Sequence, residues 1–153
     1  MTAEEFAKKY KKPKRTVTKW VEKGWIPGTI TTPTGEIIIP EFAMEPYTLA
    51  RARSGIKVYT SIIRGCMAGK AVCPELFKMP AQLFQEYIGK LVELEYVIEA
   101  TIDDVTYYLP GVKCLEINDQ TQSDIERAIR RALKTIEPVV EVFVKNATSQ
   151  LQL

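Results

Sequence analysis

The first residues of the chain have apolar positions at helical spacing. Thr2 and Glu5 have the spacing of a capping box, in which each side chain accepts a backbone N–H at the start of a helix. Phe6 and Tyr10 lie four positions apart, so they share one face of the helix that follows. The pattern therefore predicts a first helix that runs from Thr2 to about Tyr10.

The next segment, KRTVTKWVEKGWIPG, predicts a second helix with a defined end. Pro13 suits the first helical position, where its missing N–H costs nothing, and Gly24 suits the position after the last turn. Three apolar residues at helical spacing form its buried face: Val17, Trp20 and Val21. The cations of this segment are left on the outer or flanking faces. Two alternatives stay open for Trp25, which either packs beneath the following hairpin or is exposed to a partner.

The spacing then changes to that of strands. Two β-branched runs, 29–32 and 36–39, flank a Pro-Thr-Gly turn and predict a first hairpin. Residues 41–53 predict one or two short helices that a proline disturbs. We place a joint between two halves of the chain near residue 54.

The second half repeats this order of helices followed by a hairpin. Helical spacing predicts three helices, which cover residues 56–67, 74–78 and 80–93. Two alternating segments predict a second hairpin, with strands over 96–102 and 105–109. Asp103 and Asp104 form its tight turn. Tyr107 and Tyr108 point to opposite faces of a strand, so we expect one in the core and the other on the surface.

The last segment predicts one long helix. Ser123 and Glu126 have capping-box spacing, and the helical pattern continues to about Asn146. Pro138 should kink or divide this helix, and residues 139–144 are apolar nearly all round. Such a segment either folds onto its own domain or is buried in another copy of the chain.

These elements predict a mainly α-helical protein with small β-hairpin wings. Two winged-helix units are followed by a C-terminal helix, and the predicted domains are residues 1–53, 54–112 and 113–153. The last of these is a candidate dimerisation element.

Composition narrows the class of protein. No apolar run is long enough to span a bilayer, and no secretory leader follows Met1, so we expect a cytoplasmic protein with no membrane partner. The three cysteines form no Cys-x-x-Cys and the chain has no histidine, which argues for reduced, buried thiols and against a structural zinc site. The absence of histidine also removes the commonest general base. We therefore predict no enzyme, no metal and no cofactor.

Charge is unevenly distributed along the chain. Residues 1–28 hold eight cations and three carboxylates, a net +5, while the whole chain has a net charge of only +2. Residues 49–111 balance at seven of each sign, and residues 112–153 balance at six of each. A local excess of positive charge favours a polyanionic partner.

The amino-terminal motif resembles the MerR/excisionase-like winged-helix DNA-binding family over about the first 45 residues. It consists of the helix TAEEFAKKY, then Thr16-Val17-x-x-Trp20, Gly24-x-Ile26-Pro27-Gly28 and Ile39-Pro40-Glu41. Family members commonly have a Leu-Gly-Val-Ser-like turn, where this chain has Tyr10-Lys11-Lys12-Pro13. Lys11 replaces a turn glycine, and Lys12 falls at an apolar position, so the turn gains positive charge.

The resemblance implies that the second helix enters the major groove and that the hairpin reaches the neighbouring backbone or minor groove. Arg15 is the candidate for reading guanine, because its guanidinium can bond two acceptors at once. About five phosphate contacts would give a log–log slope of affinity against salt of roughly −4.5. The candidate DNA-binding residues are Lys11, Lys12, Lys14, Arg15, Thr16, Thr18, Lys19, Lys23, Thr31, Thr32 and Thr34.

The predicted third helix of the second half offers a candidate second DNA-binding surface. Its residues, with one lysine before the helix, are Lys78, Gln82, Gln85 and Lys90. Glu86, Glu93 and the Asp103-Asp104 turn would repel a phosphate backbone, which favours a packing or protein-interaction role for this unit.

The sequence thus predicts a homodimer that binds double-stranded DNA sequence-specifically, as a transcriptional regulator or as an excisionase-like architectural factor of a mobile element. The alternative is a winged-helix protein-interaction adaptor without direct DNA readout.

Overall fold

A computed structural model describes residues 1–47, 55–117 and 121–135. We call residues 1–47 the amino-terminal part and the other described residues the carboxyl-terminal part. The described residues form six α-helices, two small antiparallel sheets and one 3₁₀ helix, which agrees with the predicted mainly helical protein with small hairpins. The elements are α1 (Ala3–Lys9), α2 (Lys14–Glu22), β1 (Ile30–Thr31), β2 (Ile37–Ile38), α3 (Gly55–Met67), α4 (Pro74–Phe77), α5 (Ala81–Glu93), β3 (Val97–Ile102), β4 (Val105–Pro110), the 3₁₀ helix (Val112–Glu116) and α6 (Gln122–Leu133).

The first helix begins as predicted. The Thr2 hydroxyl accepts the Glu5 backbone N–H at 3.2 Å, and the Glu5 carboxylate accepts the Thr2 N–H at 3.2 Å. This backbone N–H of Thr2, together with its hydroxyl, lowers the pKa of Glu5. Pro13 lies one position before α2 as its N-cap, and Gly24 follows the helix with a φ of +73°. The left-handed conformation at Gly24 is the usual way for a helix to end.

A small apolar cluster holds the amino-terminal part together. Phe6 of α1, Val17 of α2 and Ile39 after β2 are each fully buried in it. The β1–β2 hairpin pairs Ile30 with Ile38 and Thr31 with Ile37. This shared cluster therefore joins α1, α2 and the residue after the first hairpin in one small body.

The prediction of a helix over residues 41–47 is wrong. Pro46 and Ala71 form an isolated parallel bridge. The Tyr47 N–H donates to the Ala71 carbonyl at 3.0 Å, and the Ala71 N–H donates to the Glu45 carbonyl at 2.8 Å. The backbone of this segment is bonded to a distant residue, so its groups are not free for helical bonds. Residues 48–54, the rest of the predicted segment and the predicted joint, lie outside the described residues.

Helices α3, α4 and α5 and the β3–β4 hairpin lie within one residue of where the sequence predicts them. Phe84, Ile88 and Leu91 of α5 pack with α3 in a second and larger apolar cluster. Strands β3 and β4 pair from Val97–Pro110 at the open end to Ile102–Val105 at the turn. The turn residues Asp103 and Asp104 both have positive φ, 51° and 64°.

The expectation that only one of the two neighbouring tyrosines is buried is wrong. Tyr107 and Tyr108 are both buried, at 4% and 7% exposure. Tyr108 joins the larger cluster, and its hydroxyl accepts the Gln85 amide at 2.8 Å. Tyr107 lies on the opposite face, which the hairpin shares with Val105, and Val105 lies close against Gly28 of the amino-terminal part. Both faces of this hairpin are therefore covered over part of their length.

The last described helix differs from the prediction at both ends. Thr121 caps α6, since its hydroxyl accepts the Asp124 N–H at 3.2 Å, and Ser123 lies inside the helix. The helix ends at Leu133 and does not continue to Asn146 without a break. Ile125 and Ile129 are buried against α3 in the larger cluster. Residues 136–153, which hold the apolar segment 139–144, lie outside the described residues.

Candidate nucleic-acid interface

The turn between α1 and α2 explains one departure from the family motif. Lys11 has a φ of 55°, a left-handed conformation in which glycine is favoured. Lys12 is not buried as an apolar residue at its position would be. Its ammonium lies 3.7 Å from Glu45, and Lys70 of the carboxyl-terminal part lies 3.4 Å from the same carboxylate. Lys12, one of the predicted DNA-contacting residues, is thus held in an intramolecular ion pair with Glu45.

Helix α2 has a buried face and an exposed cationic face. Val17 and Trp20 are buried. At about 100° per residue, Arg15, Lys19 and Lys23 fall on the opposite side, and all three are exposed. We call these three residues the α2 face. The exposed Glu22 lies on the same side and reduces its net charge. The face can therefore contact phosphates, and one carboxylate flanks its three cations.

Two other predicted contact residues of α2, and Lys23 of the α2 face, already have intramolecular contacts. The Lys14 ammonium donates to Glu4 at 2.9 Å, and the Thr18 hydroxyl donates to the Lys14 carbonyl at 3.0 Å. The Lys23 ammonium lies 4.6 Å from the centre of the Trp25 ring. Lys14 and Glu4 are both largely exposed, so a phosphate can displace this pair at little cost. Thr16 is half-buried.

The first hairpin is largely uncharged. The Thr32 and Thr34 hydroxyls are hydrogen-bonded at 2.9 Å, and Thr32 also accepts the Glu36 N–H at 3.0 Å, which orders the turn. Thr31 and Thr34 are exposed and Thr32 is half-buried. The sequence did not indicate one feature of this hairpin, a cross-strand pair of exposed isoleucines. Ile30 is 63% exposed and Ile38 is 44% exposed.

The four residues of the candidate second surface do not form a free cationic patch. Gln85 donates to Tyr108, and Lys90 lies 3.6 Å from Glu93. Lys78 ends α4 with a left-handed φ of 52°, and Gln82 is exposed on α5. Two of the four side chains are therefore engaged within the carboxyl-terminal part.

The acidic turn of the second hairpin lies near the base of the first. A Cβ on Gly28, which precedes β1, would lie 2.5 Å from Cγ2 of Val105 and 2.9 Å from Cγ of Pro40. Val105 follows the Asp103-Asp104 turn directly. Two exposed carboxylates therefore lie beside the hairpin that is predicted to approach DNA.

The three thiols are buried and free, as predicted. Burial raises the pKa of Cys66 and of Cys73 to about 12, and it also raises the pKa of Cys114. The Cys73 thiol donates to the Gly24 carbonyl at 3.8 Å, and the Cys114 thiol donates to the Tyr96 carbonyl at 3.3 Å. At neutral pH these groups are protonated, so they serve in packing.

Comparison with known proteins found no family model that matches the chain and no curated protein that is significantly similar to it. Within the described ranges, no helix has the length and apolar character needed to cross a membrane. In the same residues, no three His, Cys, Asp or Glu side chains are grouped to hold a metal ion.

Proposed function

We propose that the chain binds double-stranded DNA through its amino-terminal part, which acts as a winged-helix unit of the MerR/excisionase-like type. In this proposal α2 enters the major groove and the first hairpin lies along the neighbouring backbone. The observation that carries it is the α2 face, in which Arg15 and Lys19 are exposed and make no ion pair with any described residue. The family resemblance adds the expectation of sequence-specific binding, as a transcriptional regulator or as an architectural factor in recombination.

Arg15 carries the base-reading role in this proposal. It lies in the first turns of α2, the end of a recognition helix that contacts base edges. Lys19 lies one turn further along the same face, where it can neutralise a phosphate. The cytoplasmic location predicted from the sequence is part of the same proposal.

The test is fluorescence anisotropy of a labelled duplex over a series of salt concentrations. We expect Arg15→Ala/Lys19→Ala to reduce the log–log salt slope by about 0.9, since Lys19 loses one phosphate contact, and to lower the affinity further through the lost base contact of Arg15. The matched control is Lys9→Ala/Lys57→Ala, which removes two exposed cations from α1 and α3 and should leave the slope unchanged. A slope that falls equally in both variants would show a general effect of net charge, and the proposal would be wrong.

The exposed isoleucine pair of the first hairpin favours the alternative of a protein-interaction adaptor. Ile30 and Ile38 offer apolar area that a phosphate backbone does not require. An adaptor would show no anisotropy change with duplex DNA at low salt, whereas Ile30→Thr/Ile38→Thr would abolish capture of its protein partner. The same double substitution should leave phosphate contacts of α2 intact if DNA is the partner.

A homodimer also belongs to this proposal, because two half-sites would raise the affinity of a small module. Its support is the composition of residues 139–144, which are apolar apart from Glu141. Removal of residues 136–153 leaves in place α6 and all the described residues of both apolar clusters. Light scattering should then report a monomer, and a truncated chain that remains dimeric would exclude this segment as the dimer contact.

A further inference from the structure

Helix α6 has a second cationic face that the charge count along the sequence does not reveal. Four exposed cations lie on it: Arg127, Arg130, Arg131 and Lys134. At about 100° per residue, all four fall within a sector of roughly 100°. We call these four residues the α6 face. Ile125 and Ile129, which are 1% and 0% exposed, lie at the centre of the opposite side.

The α6 face holds four cations, against three on the α2 face. None of its four side chains makes an ion pair or a hydrogen bond with a described residue. The two carboxylates of the helix flank the sector, and their oxygens accept hydrogen bonds from Thr121 and Gln122. On α2, Glu22 flanks the three cations in the same way.

We propose that the α6 face is a second binding surface for the phosphate backbone of double-stranded DNA. The choice of partner rests on the proposed function, whereas the residues are independent of it. Three of the four cations are arginines, whose planar guanidinium groups bond phosphate oxygens in pairs. Contacts to phosphates do not depend on the base sequence, so the face contributes affinity and orientation.

The packing of α6 argues against a membrane surface as its partner. An amphipathic basic helix binds lipid by burying its apolar face among the acyl chains. In α6 that face is already occupied, because Ile125 and Ile129 pack with α3 inside the larger cluster. Only the charged side of α6 is exposed, and a polyanion can bind that side without displacing the packed apolar side.

The helix dipole offers a purely structural reason for some of these cations. Arg130 and Arg131 lie in the last turn of α6 and Lys134 is its C-cap, where positive charge is stabilising. The two roles have different readouts. A structural role changes the thermal midpoint and leaves DNA affinity alone, whereas a binding role changes the affinity and its salt dependence.

The experiment measures anisotropy of a random-sequence duplex over the same salt series with the full chain. We expect Arg127→Ala/Arg131→Ala to lower the salt slope by about 1.8 and the affinity about tenfold at moderate salt. Arg127→Lys/Arg131→Lys keeps both charges and should keep the slope. Lys9→Ala/Lys57→Ala serves again as the control with the same loss of charge.

The outcomes separate this proposal from the proposed function. If Arg127→Ala/Arg131→Ala behaves like the control while Arg15→Ala/Lys19→Ala loses affinity, the α6 proposal is overturned and the α2 proposal stands. If instead Arg15→Ala/Lys19→Ala behaves like the control while Arg127→Ala/Arg131→Ala loses affinity, the α6 face is the DNA-binding surface and the α2 proposal is wrong. A variant that keeps duplex binding but no longer binds phosphatidylserine vesicles would assign the α6 face to a membrane and overturn the proposal.

Discussion

Gly28→Ala should destabilise the protein more than Gly35→Ala, although the two glycines have nearly the same backbone conformation. Their φ values are +82° and +86°, so an alanine is strained at either position. A Cβ on Gly28 would meet the Val105 and Pro40 side chains at 2.5 and 2.9 Å, whereas nothing lies within 4 Å of a Cβ on Gly35. Comparison of the two variants therefore reports the close packing around Gly28, and the contribution of the second hairpin is separated by changing Val105.

The magnitudes follow from two separate costs. Left-handed strain costs about 1–2 kcal/mol, and this is the whole expected effect of Gly35→Ala. Overpacking adds about 1–3 kcal/mol, which brings Gly28→Ala to about 2–5 kcal/mol. Val105→Ala alone should cost about 1 kcal/mol, because Val105 is only half-buried. Combined with Gly28→Ala it removes the methyl group at 2.5 Å, so the double variant should be more stable than the sum of the single effects predicts.

Urea denaturation followed by tryptophan fluorescence measures these differences, since Trp20 and Trp25 both lie in the amino-terminal part. The midpoints should rank Gly35→Ala above Gly28→Ala, with the Gly28→Ala/Val105→Ala variant less destabilised than additivity requires. Equal loss of stability at the two glycines, or strict additivity with Val105→Ala, would refute the contact between the hairpins.

Three further predictions concern the turns and the thiols. Lys11→Gly should raise the free energy of unfolding by about 0.5–1 kcal/mol in thermal denaturation, because it relieves left-handed strain. The same change should lower the salt slope for duplex DNA by about 0.9. A loss of stability would contradict the first expectation. Cys66 and Cys73 have a pKa near 12 in the folded protein against an ordinary value of 9.0, so the folded state holds protons that the unfolded state releases. Stability should be unaffected by these thiols below about pH 9 and fall above it by at most about 1.4 kcal/mol per pH unit for each, and urea denaturation of Cys66→Ala/Cys73→Ala should show a smaller fall. Asp103→Asn/Asp104→Asn should tighten duplex binding in the anisotropy assay, because two carboxylates near the first hairpin are lost. The turn should keep its conformation, since asparagine tolerates positive φ at both positions. Unchanged affinity would mean that this turn lies far from the DNA.

The parts of the fold that the sequence predicts are those that local interactions determine. The Thr2 capping box, Gly24 at the end of α2 and the hairpin turns depend on residues within a few positions of one another. The helix predicted over residues 41–47 was wrong because its backbone bonds Ala71, which is far along the chain. No local pattern reports such a partner.

In the candidate site too, local spacing predicts some features, whereas contacts between distant residues are not predicted. Helical spacing correctly places Val17 and Trp20 inside and Arg15 and Lys19 outside. It does not reveal that Lys14 contacts Glu4, because the two lie ten positions apart on different helices. The α6 face was missed for another reason, since summing charge over residues 112–153 gives zero and hides four cations on a single side of one helix.

The contacts between the two parts bear on how the α2 and α6 faces act. Trp25 packs against both apolar clusters, and the Cys73 thiol donates to the Gly24 carbonyl. The Tyr47 N–H donates to the Ala71 carbonyl, and the Ala71 N–H donates to the Glu45 carbonyl. These contacts join the amino-terminal part, which carries α2, to the part that carries α6. Linked sites gain affinity only when the linkage lets both engage the ligand at once. Because the linkage here is a packed interface, a duplex that reaches both faces must match their separation, and the gain from the second face depends on the path of the DNA.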